Sequence, residues 1–187
     1  MSIEGEQHRA DDHEVPDLGP LHPIHERGEI EELLDAAKRL SPRHWALVVI
    51  LYKTGMELEA VAKLTWRDVY PDKLVWKPSK SRDEREFPLD DPDLVHALNL
   101  FVTGQRKSAD QMDYWIRQVR EDTRNPELRR VTAITLRLTR ALHLLERGFS
   151  PADVSEELRL PLSAVLRVSS EAHPPGPGSN GPSAPRA

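Results

Sequence analysis

The stretch 51–69 decides the fold of this chain, and it reads LYKTGMELEAVAKLTWRDV. The helix predicted over 43–52 runs into this stretch and ends at Gly55, because glycine tolerates the backbone conformations in which helices stop. Apolar residues at helical spacing then predict a short second helix over 58–64. That helix leads to Trp66, whose ring we expect to be buried in the core. The centre of the chain is therefore two helices joined by a glycine turn.

Further helices flank this centre, and one hairpin interrupts them. The apolar spacing predicts one helix upstream, over 29–40, and five downstream, over 93–101, 112–120, 136–147, 151–158 and 162–170. Alternating residues over 73–77 and 85–89, joined by a polar connection, predict a β-hairpin. The fold class is thus mainly α with a small β-hairpin or sheet (α+β).

The composition excludes several classes of protein. Of 187 residues, 38% are hydrophobic and 30% are charged. No apolar run approaches the roughly 18 residues that a membrane span requires, and the polar start argues against a secretory signal. We therefore expect a cytoplasmic protein with no membrane partner. The absence of cysteine excludes disulfides and thiolate chemistry, and the 8 histidines are scattered, so we expect no metal site and no cofactor.

Charge is unevenly distributed along the chain. The net charge is −5, yet residues 1–42 hold 11 acidic and 4 basic side chains, whereas residues 43–170 hold 21 basic and 19 acidic ones. Residues 117–147 contain 8 arginines and 4 acidic residues. A basic face that binds nucleic acid is one interpretation of this pattern. A solvated surface of mixed charge is the other.

Composition also divides the chain into three parts. Residues 1–20 form an acidic leader that we expect to be flexible. Residues 172–187 form a tail rich in proline, glycine and serine, which cannot bury enough apolar surface to become ordered. The folded domain is predicted to occupy residues 21–171, between these two ends.

Three motifs follow the central stretch in a characteristic order. The stretch 51–69 is similar to a "TG(M/L)R, E-L, L-W-D-I" segment, and residues 80–89 match K-x-x-x-x-R-x-x-P-L without a gap. Residues 136–148 are similar to LRHTxAxxLLxxG, and 158–160 stand where L-G-H is expected. In this order, the motifs resemble the catalytic domain of the tyrosine recombinases, the phage-integrase family. The resemblance implies that domain's fold over residues 22–170, with DNA as its partner.

The chemistry implied by the resemblance requires several positioned groups. A tyrosine attacks a DNA phosphodiester, two arginines and a histidine or tryptophan hold the non-bridging oxygens, and a hairpin lysine protonates the leaving hydroxyl. Lys80 and Arg137 match two of these positions and are vestiges of the site. The first arginine, the two histidines and the tyrosine are replaced, in this order, by Glu57, Ile134, Leu160 and Ser169. We therefore expect no catalytic residues and no enzyme activity, since a carboxylate at the clamp would repel the phosphate.

The remaining cations are the candidate DNA-binding residues. They are expected to contact phosphate with little sequence preference, and they are Lys77, Lys80, Arg82, Arg85, Arg137, Arg140, Arg159 and Arg167. Acidic neighbours leave a second interpretation open for the hairpin cations, that of a solubilising tip. Arg137 has two possible partners, a DNA phosphate or the carboxylate of Glu57, and we favour the internal ion pair.

Three functions are compatible with these residues. We expect a catalytically inactive, integrase-like DNA-binding protein that binds weakly or without sequence specificity and is associated with the nucleoid. The first alternative is a protein-interaction module that regulates an active recombinase or another DNA-processing complex, through a homo-oligomer or a recombinase-like partner. The second is a helix-turn-helix transcriptional regulator, in which 162–170 is the recognition helix and presents Ser163 and Arg167 to the major groove.

Overall fold

A computed structural model of the chain describes residues 23–78, 83–103 and 107–172, and this part is mainly helical. Its helices are α1 (Arg27–Leu40), α2 (Pro42–Thr54), α3 (Leu58–Lys63), α4 (Pro92–Val102), α5 (Ala109–Asp122), α6 (Ala133–Glu146), α7 (Pro151–Leu158) and α8 (Leu162–Ala172). Two short 3₁₀ helices cover Trp66–Asp68 and Pro126–Arg130. Within the described ranges, no helix is both long enough and apolar enough to cross a bilayer. The predicted leader and nearly all of the predicted tail lie outside these ranges.

Helix starts follow the capping residues in the sequence. The side chains of Ser41, Asp91 and Ser150 accept hydrogen bonds from backbone N–H groups in the first turns of α2, α4 and α7. A proline follows each of these caps, at a helix position whose N–H has no intrahelical partner. The predicted starts of these three helices are confirmed to within one residue.

Helix α6 begins three residues before its predicted start. Thr132 Oγ1 accepts from the N–H of Thr135 at 3.3 Å, and the N–H of Thr132 donates to Thr135 Oγ1 at 3.2 Å. This reciprocal pair of hydrogen bonds forms a capping box, in which the residue at the third helical position is ordinarily Glu or Gln and is here Thr135. The sequence pattern missed the start because a threonine occupies that position.

The predicted hairpin is confirmed as a two-stranded antiparallel sheet. Strand β1 (Lys73–Trp76) pairs with β2 (Arg85–Pro88), with Lys73 opposite Pro88 and Trp76 opposite Arg85. The tip of the hairpin contains Lys80 and Arg82, which lie outside the described residues. The sheet brings Trp76 and Arg85 to the end of the ladder nearest the tip.

Helix α2 lies at the centre of the larger core. Every residue from Trp45 to Leu51 is buried, and the helix packs against α1, α4, α5 and α6. The spacing of Ala46, Val49 and Ile50 is, by itself, typical of an amphipathic helix with one apolar face. A helix that is apolar all round is instead surrounded by neighbours, which is the position that α2 occupies.

Helix α6 separates this core from a second one. Leu136 belongs to the cluster around α2, whereas Leu138, Ala141 and Leu142 pack against α7 and α8. The second cluster also buries Leu160 in the α7–α8 turn, at 4% exposure. Because both cores share α6, its position fixes α7 and α8 relative to α2.

The expectation that Trp66 is buried is wrong. Its side chain is 69% exposed, and the guanidinium of Arg67 lies 5.4 Å from its ring. The turn is held instead by Asp68, whose carboxylate accepts from the N–H of Thr65 at 2.7 Å and from its hydroxyl at 2.8 Å. Polar capping forms this 3₁₀ turn without burial of the aromatic ring.

Gly55 provides a test of the packing between α2 and α7. Its φ is +66°, and a Cβ at this position would lie 2.5 Å from Leu158 Cδ2. Gly55→Ala therefore combines a left-handed backbone cost with a clash, and we expect a loss of roughly 2 to 4 kcal/mol in the free energy of unfolding, measured by urea denaturation.

Gly148→Ala is the matched control for this substitution. Gly148 also has a positive φ, +92°, but nothing lies within 4 Å of the place that a Cβ would occupy. We expect it to lose about 1 kcal/mol, the backbone cost alone. Equal losses in the two variants would contradict close packing of Gly55 against Leu158.

Candidate nucleic-acid interface

The segments that carry the sequence motifs meet around one small indentation. Its lining comes from the α2–α3 turn, the hairpin, α6 and the α7–α8 turn, and includes Gly55, Glu57, Trp76, Arg85, Arg137 and Leu158. The segments that carry the motifs are thus neighbours in the structure. The indentation has a volume of about 20 Å³, which is room for about one water molecule. We call it the closed pocket.

Arg137 fills the middle of the closed pocket with contacts to the backbone. Its Nε donates to the carbonyl oxygen of Gly55 at 2.9 Å, and its terminal nitrogen donates to the carbonyl oxygen of Leu158. Gly55 is the C-cap of α2 and Leu158 is the last residue of α7, so both carbonyls lie at helix C-termini. Such carbonyls lack intrahelical donors and carry partial negative charge, which a guanidinium complements.

The expected ion pair between Arg137 and Glu57 is not what holds this guanidinium. Among ion pairs between described residues, none joins the two side chains. Burial lowers the pKa of Arg137 below its ordinary value, and the nearby carboxylates of Glu57 and Glu59 act in the opposite direction. Glu57 therefore influences Arg137 as a neighbouring charge, while the backbone carbonyls provide the direct contacts.

Arg85 closes the same helix end from the hairpin side. Its guanidinium donates to the carbonyl oxygens of Glu157 at 2.6 Å and Glu156 at 2.7 Å. Together, Arg85 and Arg137 cap three successive carbonyls at the end of α7. Two of the candidate DNA-binding arginines are thus engaged in holding α7 against the hairpin and α6.

The other positions that the sequence motifs singled out contribute to packing. Ile134 packs against the second core, and Leu160 is buried within it. Ser169 lies on α8 and is partly buried. Within the described ranges, no group of three or more His, Asp or Glu residues is placed to hold a metal ion.

The candidate cations differ in their exposure. Lys77, Arg159 and Arg167 are exposed, and Arg159 also lines the closed pocket. Arg140 is partly buried, with its guanidinium 5.8 Å from the ring of Phe87. Lys80 and Arg82 lie outside the described residues. The structure therefore brings Arg85, Arg137 and Arg159 together and leaves Arg140 facing a different cavity.

Sequence reasoning missed the acceptors that organise this region. The carbonyls of Gly55, Glu156, Glu157 and Leu158 hold the two arginines. Backbone groups carry no side-chain signature, so the motifs offered no signal for them. The sole available clue was Gly55 itself, since a glycine at a helix end marks a cap.

Comparison with solved structures identifies the fold. The chain is similar to a XerA recombinase, with a TM-score of 0.63 and 18% identity over 83% of this chain and 66% of that one. It is similar to a XerH site-specific recombinase bound to difH substrate, with a TM-score of 0.62, 17% identity and coverage of 80% and 50%. It is also similar to a lambda integrase tetramer bound to a Holliday junction, with a TM-score of 0.54 and 14% identity over 76% of this chain and 47% of that one.

These likenesses confirm the predicted fold, that of a tyrosine recombinase catalytic domain. The chain spans about half to two thirds of the length of these proteins. No family model matches its sequence, and no curated protein matches it. The three-dimensional arrangement is therefore similar, although the sequence identity is only 14% to 18%.

The structural role of Arg137 predicts a large effect on stability. Arg137→Ala leaves the carbonyls of Gly55 and Leu158 without donors, so we expect a loss of roughly 2 to 4 kcal/mol in the free energy of unfolding, measured with urea. Arg167→Ala is the control, with an expected change within about 0.5 kcal/mol for an exposed side chain. An Arg137→Ala protein as stable as the wild type would contradict the capping role.

Proposed function

We propose that this chain is a catalytically inactive DNA-binding protein that uses a recombinase fold for weak, non-specific contact with the DNA backbone. The observation that carries the proposal is the closed pocket. Its volume of about 20 Å³ leaves no room for a phosphate group, and Arg137 points its donors at carbonyl oxygens. The space in which the chemistry would occur is occupied by the protein itself.

The side chains around the closed pocket support the loss of catalysis. Phosphoryl transfer concentrates negative charge, which positioned cations and hydrogen-bond donors must stabilise. Glu57 adds negative charge beside Arg137 instead, and Ile134 and Leu160 offer no donor. A serine hydroxyl at Ser169 would need an activating base and an oxyanion clamp.

Exposed cations support a role in binding DNA. Lys77 directly follows β1 and is exposed, as are Arg159, which lines the closed pocket, and Arg167 on α8. Exposed Arg129 and Arg130 add positive charge before α6. Among the proteins with this fold, the XerH recombinase is bound to difH substrate and the lambda integrase to a Holliday junction. Lysine and arginine contacts to phosphate position a protein on DNA without reading its sequence.

A second candidate function rests on two exposed leucines. Leu162 and Leu166 are 46% and 50% exposed and lie four residues apart, hence on one face of α8. Exposed apolar residues on one face favour association with another protein. This observation supports the interaction module, with a second copy of the chain or a recombinase-like protein as the partner.

The helix-turn-helix alternative requires a recognition helix with exposed side chains. Ser163 and Arg167 of α8 are exposed and meet this requirement.

DNA binding is tested by removing the exposed cations together. In Lys77→Gln/Arg159→Gln/Arg167→Gln, we expect weaker binding to duplex DNA, and a salt dependence whose log–log slope falls by roughly one for each lost phosphate contact. The measurement is fluorescence anisotropy over a range of salt concentrations. The matched control is Lys77→Arg/Arg159→Lys/Arg167→Lys, which keeps the charge and should keep the slope.

Two outcomes would count against the proposal. A covalent protein–DNA adduct with a nicked suicide substrate would show that the chain is catalytic. The absence of any salt-sensitive binding at low ionic strength, together with self-association that Leu166→Glu abolishes in sedimentation measurements, would favour the interaction module.

A further inference from the structure

A larger cavity adjoins the closed pocket and shares Thr54, Trp76, Arg85 and Glu157 with it. It has a volume of about 540 Å³, and strand β2, the end of α2 and helix α6 form its walls. Its lining includes the aromatic side chains of Tyr52, Trp76, Phe87 and Phe149. Cavities that bind small ligands have about this size and this mixture of apolar walls with a few polar groups. We call it the hairpin cavity.

Several charged groups of the hairpin cavity have partners within the protein. Lys53 forms an ion pair with Asp91, and Glu86 pairs with Lys73 at 2.7 Å. Arg85 donates to the carbonyl oxygens at the end of α7. These groups form part of the cavity wall, and their charges are already engaged, so we do not expect them to bind a ligand.

Arg140 also lines this cavity, and its surroundings differ from those of the paired groups. Its Nε is fully buried and has no hydrogen-bond acceptor among the residues that the structure describes. The guanidinium lies over the ring of Phe87 and lines the hairpin cavity. Burial lowers the pKa of Arg140, Glu157 opposes this shift, and the positive charge of Arg147 adds to it. Because Nε is buried, a ligand in the cavity would meet the terminal nitrogens of this guanidinium. A half-buried cation that lines a cavity beside a second cation favours an acceptor with negative charge.

Arg140 differs in this respect from Arg137, which lies one turn earlier on α6. Arg137 reaches two backbone carbonyls, whereas the guanidinium of Arg140 turns toward the space beneath the hairpin. The sequence grouped both residues with the DNA-binding cations. Arg137 therefore stabilises the fold, whereas Arg140 is available to a ligand in the hairpin cavity.

We propose that the hairpin cavity binds a small ligand carrying an oxyanion, a carboxylate or a phosphate ester, with the oxyanion on Arg140 and Arg147 and an apolar group against Trp76. A planar guanidinium matches the geometry of either oxyanion. An anion between the two arginines also relieves their mutual repulsion. Among the acidic groups of the lining, Glu157 has the largest electrostatic effect on Arg140. Because its negative charge would repel a highly charged ligand, we expect the ligand to carry one oxyanion group.

The oxyanion has two possible sources. One is a free small molecule. The other is a carboxylate of residues 1–22, which contain six acidic side chains. A second cavity, of about 480 Å³, also contains Arg140 and Arg147 and extends to Arg27 at the start of α1. The described chain begins at residue 23, four residues before Arg27, so residues 1–22 are covalently linked to the element that carries Arg27.

The test uses phenyl phosphate as the probe and isothermal titration calorimetry of the full chain at constant ionic strength. We expect the wild type to bind the probe and Arg140→Met to bind it at least about tenfold more weakly, because a charge-assisted contact is lost. Methionine keeps the packing over Phe87. Arg167→Met, on the exposed face of α8, is the matched control and should bind as the wild type does.

Stability without the probe gives a second readout. Arg140→Met removes a buried donor that lacks an acceptor and loses only the cation–π contact with the Phe87 ring, so its urea midpoint should stay close to that of the wild type or exceed it. A clearly lower midpoint would show that the guanidinium has a hydrogen-bond partner inside the protein and would overturn the proposal. So would the absence of phenyl phosphate binding, or equal binding by the wild type and Arg140→Met.

Two further arms identify the source and separate this site from DNA binding. The leader is the source if replacing its acids by amides raises the affinity for phenyl phosphate, and a free ligand is the source if the affinity is unchanged. The replaced residues are Glu4, Glu6, Asp11, Asp12, Glu14 and Asp17. Arg140→Met should bind duplex DNA as the wild type does. A matching loss of DNA affinity would place Arg140 on the DNA-binding surface and overturn the proposal.

Discussion

The contact on which the rest of the structure depends is the bridge from Arg137 to the carbonyls of Gly55 and Leu158. It joins the end of α2, the start of α6 and the end of α7 in one network. Both hydrophobic cores share α6, so a contact in its second turn fixes the relative position of the two. Arg85 adds the hairpin to this arrangement by capping the same end of α7.

Under the proposed function, this bridge accounts for a recombinase-like fold without an open reactive centre. The guanidinium of Arg137 is satisfied by helix ends, and the neighbouring Glu57 compensates its positive charge. The hydrophobic residues Ile134 and Leu160 contribute to the second core. The proposal therefore assigns the space of the closed pocket to packing and DNA binding to side chains on the surface.

Local signals in the sequence predicted much of this fold. The caps at Ser41, Asp91 and Ser150 have direct physical consequences for the first turn of a helix, and alternation along 73–77 and 85–89 predicted the sheet. The exposure of Trp66 was not predictable, because the capping by Asp68 makes burial of the ring unnecessary. The partners of Arg85 and Arg137 could not be predicted either, since they are backbone carbonyls and no sequence motif encodes them.

The most direct test of the account is the ¹H–¹⁵N NMR signal of Arg137 Nε during titration with duplex DNA at low salt. If Arg137 is a structural bridge, this signal stays in place while the Nε signals of the exposed Arg159 and Arg167 shift with DNA concentration. An Arg137 signal that moves and saturates with the DNA would show that its guanidinium exchanges the Gly55 carbonyl for phosphate. That result would contradict the account.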